Sequence, residues 1–162
     1  MTKFHKAVDN LCDKKTKDLG RSLYWDEVCL IEDTLFMDWL KSKQYDDLIS
    51  HALDEYDIQD GAAFCASLGE ALAQAGDRTR FERLFLGITK TRESQFWRVW
   101  PKAQEGHIGA MKESSQYLAN ALDSLAGLWH CYWVMNDESG MTSTKNEMLR
   151  LQAREKKGRK MA

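Results

Sequence analysis

The sequence has a single proline, Pro101, and only ten glycines in 162 residues. That scarcity of helix breakers leaves room for long helices. No apolar run approaches the ~20 residues needed to cross a bilayer, so no membrane-spanning role is expected. The four cysteines, Cys12, Cys29, Cys65 and Cys131, are far apart and form no CxxC pair, which excludes a disulfide framework of the usual spacing. They read as small apolar packing groups of a reduced, cytoplasmic protein. The opening stretch, "MTKFHKAVDNLCDKK", carries charge throughout and lacks the apolar heart of a signal peptide.

Motifs of common chemistries are also missing. There is no HExxH, no GxSxG and no phosphate-binding GxxxxGK[ST] loop. The four histidines, His5, His51, His107 and His130, have no zinc-finger partners. Asp47, His51 and Glu55 share a helix face, but a solvated polar face accounts for them. His130 and Cys131 are chain neighbours and point about 100° apart on a helix. "GHIGA" at 106–110 reads as a plain helix start, and the carboxylate pairs Glu32-Asp33 and Asp46-Asp47 lie on exposed turns, where nothing raises a pKa for acid–base work. The expectation is a non-enzyme with no cofactor and no metal.

What is present is amphipathic helix. Hydrophobic residues make up 43% and charged residues 30%, the balance of a globular chain with a core. Phe4, Val8, Leu11 and Cys12 define a helix over about 3–17. A second runs from Leu23 to Ser42 with Ser22 as its cap. Its stripe is Val28, Ile31, Leu35 and Trp39, widened by Leu30, Phe36 and Met37. A third covers 45–56. A fourth follows Asp60 and ends at Gly76, and Asp77 caps a fifth through Phe81, Leu84, Phe85 and Ile88. A short helix at 93–100 stops at Pro101. The clearest period is Ile108, Met111, Ser115, Leu118, Leu122, Leu125, Trp129 and Tyr132, spaced alternately three and four apart. It predicts one helix of about 28 residues whose stripe suits a core or a contact between two copies. "NDESG" at 136–140 breaks it, and a last helix over 143–157 frays into a basic tail. No strand alternation competes. The fold class is all-α: stacked antiparallel helix hairpins closed by a long C-terminal helix, with one domain over 1–142 and the tail helix over 143–162.

"LGEALAQAGDRTRFERLF" at 68–85 resembles a tetratricopeptide repeat, a helical hairpin of about 34 residues. Leu68-Gly69, Leu72, Gly76-Asp77, Phe81 and Phe85 carry the likeness, although the pattern has alanine where Phe81 stands and proline where Glu93 stands. A fainter copy lies 33 residues earlier, with Leu35, Trp39, Leu48 and Ala52 in the equivalent places, so the resemblance spans 29–92. It implies stacked hairpins and a groove that binds peptides or proteins.

Charge is the most informative feature of the composition. The net of −2 hides a block at 22–60 with eleven acids against Lys41 and Lys43, and a stretch at 145–162 with seven bases against two acids. The acidic block would repel phosphates and attract a basic protein. The basic tail has no interleaved aromatics, which makes it a weak nucleic-acid signal. Glu27, Glu32, Asp33, Asp46, Asp47, Asp54 and Glu55 are therefore the candidate partner-binding residues. Trp97 and Trp100 of "FWRVWP" are candidate anchors, because Trp dominates interface hot spots. The expected function is a protein-binding module: an inhibitor or immunity-type protein that neutralises a basic toxin or effector domain. The alternatives are a peptide-binding adaptor or chaperone of the repeat type, and a nucleic-acid-associated protein using the tail.

Overall fold

The computed structural model describes residues 1–54 and 61–161, and every element in them is helical. The all-α expectation holds. None of the described helices is long and apolar enough to cross a membrane. The chain divides into two compact units, Met1–Asp57 and Ile58–Ala162, so the division falls at 57/58 and the last helix groups with the unit before it. The two halves of the repeat-like stretch consequently lie in different units.

The first unit has three helices: α1 (Lys3–Leu19), α2 (Trp25–Lys41) and α3 (Tyr45–Asp54). Phe4 and Val8 of α1, Phe36 of α2 and Leu48, Ile49 and Ala52 of α3 form its core. The Phe4 ring sits edge-on to Trp39 at 5.2 Å and against His51 at 4.8 Å. His51, weighed above as a metal ligand beside Asp47 and Glu55, is instead buried, with Nδ1 hydrogen-bonded to Thr2 Oγ1 at 2.8 Å. Glu55 and the expected Asp60 cap lie outside the described residues.

The second unit comprises α4 (Gly61–Gln74), α5 (Arg78–Gln104), α6 (Ile108–Val134) and α7 (Glu138–Met161). α6 packs on α4, α5 and α7, and α4 also packs on α5, the neighbour order of two stacked hairpins. At the centre is Phe85. A Cβ at Gly69 of α4 would come within 2.5 Å of its ring, and one at Gly127 of α6 within 2.6 Å. The two glycines thus let α4 and α6 close on the ring from both sides. The Phe85 carbonyl accepts from Ser124 of α6 at 2.8 Å and from Thr89 of its own helix at 2.7 Å.

Four turns share one closure. Lys43, Gly76, Gly106 and Asn136 all have positive φ. The residue after each donates back to a carbonyl five earlier: Gln44 to Trp39, Asp77 to Leu72, His107 to Lys102 and Asp137 to Tyr132. This is the Schellman closure, which satisfies helix-end carbonyls and reverses the chain at once.

Several boundaries differ from expectation. α2 is capped at Tyr24 and not at Ser22. The short helix at 93–100 does not stand alone: α5 runs unbroken to Gln104 with Pro101 inside its last turn, although proline has no N–H to give the carbonyl four residues back. α7 begins at Glu138 and not at 143, because Asp137 Oδ1 accepts from the Gly140 amide at 3.0 Å. The long stripe of α6 also splits. Its residues form two rows about 60° apart, because positions three residues apart on a helix differ by that angle. Leu118, Leu125 and Tyr132 are buried, while Ile108, Ser115 and Trp129 face out.

Candidate partner-binding surface

α2 turns about 100° per residue, and that rotation sorts the acidic block. Val28, Ile31 and Leu35 lean inward. Asp26, Leu30, Asp33 and Met37, spaced four, three and four apart, share the opposite face and are all exposed, Leu30 at 61% and Met37 at 49%. Sequence reasoning placed Leu30 and Met37 on the core stripe, which is corrected here. They lie roughly 150° from its centre by their own spacing, so the signal was in the sequence. Acidic and large apolar side chains thus alternate along one outward ridge.

The other acids do not join that ridge. Glu27 turns back to the start of α2. It accepts the Tyr24 amide at 2.8 Å and pairs with both terminal nitrogens of Arg21 at 2.9 and 3.0 Å. The Arg21 hydrogen bond, then the backbone bond, hold its carboxyl down to about 2. Glu32 is half-buried on the side toward α1, and its charge helps raise the Cys12 thiol, after burial, Asp9 and Asp13. Asp33 is exposed. On α3, Asp46 and Asp47 occupy the first turn, where they oppose the positive end of the helix dipole. Asp47 pairs with Lys3 at 3.5 Å, and Asp54 is exposed at the far end. Of the Glu32-Asp33 pair expected on an exposed turn, Asp33 is exposed and Glu32 is not.

Beside the ridge, α1 and α2 leave a groove of about 420 Å³, lined by Leu11 and Lys15 and by Leu30, Ile31, Leu35 and Asp38. Leu30 belongs to both ridge and groove. A partner helix laid on the ridge has an apolar slot at its edge with charge at the rim.

Trp97 and Trp100 stand in the second unit. Trp97 meets the buried Phe96 edge-on at 4.7 Å and Trp100 stacks on it at 5.1 Å. The Arg154 guanidinium lies over Trp97 at 6.0 Å. Nearby, Glu93 accepts from Arg150 at 3.2 Å and from Arg154 at 3.5 Å, and Arg150 also pairs with Glu147. This cluster ties α7 to α5 and takes up two cations of the basic tail. Trp97 is 36% exposed, and Trp129 and Trp133 of α6, at 38% and 56%, are more so. His130, between the latter two, bonds Glu70 of α4 at 2.7 Å and stacks on Trp133 at 5.7 Å.

No protein-family model matches this chain, and no curated protein or solved structure matches it either.

Proposed function

We propose that this protein is a binding module of helical hairpins that holds another protein through the outward ridge of α2. The fitting partner segment is a basic amphipathic helix, and an inhibitor or immunity-type protein acting on a basic toxin or effector domain is the class in view. The observation that carries the reading is the Asp26–Leu30–Asp33–Met37 ridge, in which half-exposed or more exposed apolar side chains alternate with carboxylates. Apolar anchors supply affinity when they enter a partner's pocket. The carboxylates supply encounter rate and register, and would discriminate against acidic partners. The eleven acids of 22–60 add to that field beyond those in contact. Glu27 and Asp47 contribute little to it, since Arg21 and Lys3 offset their charges. Arg150 and Arg154 are drawn to Glu93 and Glu147, which speaks against a phosphate-binding tail.

The test is affinity capture from source-cell lysate with three baits: wild type, D26K/D33K and L30A/M37A. The reading expects a protein with a basic helix that wild type retains, that both variants lose, and that elutes as salt rises. A partner retained equally by both variants, or one that binds through an acidic face, would overturn it.

A further inference from the structure

The α2 ridge has a counterpart on the outer side of α5. Along the ridge, Asp26, Leu30, Asp33 and Met37 follow one another at four, three and four residues. Read against the chain direction, Lys90, Leu86 and Arg83 of α5 also follow at four and three. These three lie within about 60° of one another around the helix. All are exposed, Leu86 at 46%. Bases seven residues apart occur three times in the sequence: Lys14 with Arg21, Arg83 with Lys90, and Arg150 with Lys157. Only between Arg83 and Lys90 does a large apolar side chain stand three or four residues in; the other pairs enclose Lys17 and Asp18, or Ala153 and Arg154. The carboxylates of α5, Glu82 and Glu93, flank this strip and are engaged by neighbouring helices. Glu82 accepts from Tyr132 of α6 at 2.6 Å, and Glu93 from Arg150 and Arg154 of α7.

We propose that the α2 ridge of one copy of the chain docks on the outer side of α5 in a second copy, the two helices antiparallel. With Asp26 opposite Lys90, Leu30 falls on Leu86 and Asp33 on Arg83, so two ion pairs and the apolar contact form in one register. A slip of seven residues either way keeps one ion pair and separates the leucines. Parallel helices that keep both ion pairs set Gly87 opposite Leu30 and lose the apolar contact. Copies related by a twofold axis make the contact twice. Exposed ion pairs fix register more than they add affinity. The seam spans about 16 Å from Asp26 to Met37. So short a contact gives a weak dimer, with a dissociation constant on the order of 100 µM. Its consequence rests on the reading of the ridge as the docking face: self-association covers Leu30 and Asp33 and competes with a basic partner helix.

Sedimentation equilibrium on the full chain, from about 5 µM to about 500 µM at low salt, tests this. Wild type should pass from monomer to dimer, and added salt should shift it back. D26K/D33K and R83E/K90E, each confirmed folded by circular dichroism, should each raise the dissociation constant at least about tenfold. An equimolar mixture of the two variants should associate to within about threefold of wild type, because each supplies the charges the other has lost. A wild type monomeric throughout would overturn the proposal. So would a mixture no tighter than its components, which is also the result if α2 meets α5 of its own chain. As a bait in lysate, R83E/K90E keeps the whole ridge and should capture at least as much partner as wild type. Loss of that partner would make α5 part of the partner's own site and overturn the competition. If the mixture associates and no bait captures a protein, the contact between copies stands and the reading of the ridge as a docking face falls.

Discussion

Glu27 lies inside the acidic block, yet its bonds run inward. Its carboxylate closes the start of α2 on the Tyr24 amide and clasps the Arg21 guanidinium, which also donates to the Ser22 carbonyl at 2.9 Å. Arg21 first, then the amide, hold its pKa at about 2 against an ordinary 4.5. A carboxyl depressed in the folded state stabilises fully above its unfolded value, and that contribution drains away as pH falls from about 4.5 through about 2. Screening keeps the effect small at so exposed a site. Carboxyl carbon NMR should place the Glu27 midpoint near 2, and R21A should move it back up toward the ordinary range. A midpoint near 4.5 in the wild type would show that the clasp does not form in solution. The residue types of the candidate surface were legible in the sequence, but their sides were not all read from it. Asp33 and Glu32 are neighbours about 100° apart, and that one step separates an outward carboxylate from one leaning on α1. Counting charge along a chain says nothing about which acids a nearby Arg21 or Lys3 will claim.

At the scale of the element, existence and type of helix were legible, and the boundaries missed have local causes. Thr89 of α5 and Thr144 of α7 are buried at core positions, each donating its hydroxyl to the carbonyl four residues back, Phe85 and Gly140. A threonine satisfied that way packs like an apolar residue yet breaks an apolar stripe on paper. Hence α5 read as two helices, whereas α7 read as starting late because the Asp137 cap lies within a stretch that reads as a break. The same blindness applies to glycine, which marks a helix end at Gly76 but a close approach at Gly127. The Phe85 ring cannot yield to a methyl at Gly127, because Gly69 backs it from the other side. Gly127→Ala should therefore cost about 1–3 kcal/mol by overpacking, although alanine alone favours the helix by about 1 kcal/mol. Gly109, with nothing within 4 Å of an added Cβ, is the control, and its alanine variant should be neutral to stabilising. Urea unfolding of both variants checks the contrast. Equal stability of the two would mean that the ring is not clamped.

For the whole molecule, the two units differ in both charge and size. Residues 1–57 hold thirteen acids and eight bases, and residues 58–162 hold twelve acids and fifteen bases. A unit of 57 residues is near the lower limit for a core that stands alone, and one of 105 is not. The repeat pattern extended across this division, so the sequence did not show where the units separate. Contact density does, because each unit closes on its own aromatic centre: Phe4 with Trp39 and His51 in one, Phe85 and Phe96 in the other. Heating should therefore unfold the chain in two steps, the first unit leading. Leu48→Ala, at a fully buried site of α3, should lower only the first step, with a loss of about 2–5 kcal/mol. A fragment of residues 58–162 should keep its helical circular dichroism and its own cooperative melt. If the α2 ridge is the docking face, a bound partner adds stability only to the unit it touches. The first transition should then rise with partner concentration while the second stays fixed. A single transition in the free chain, with the 58–162 fragment unfolded, would mean that the two units support each other and that the ridge is not an independent module.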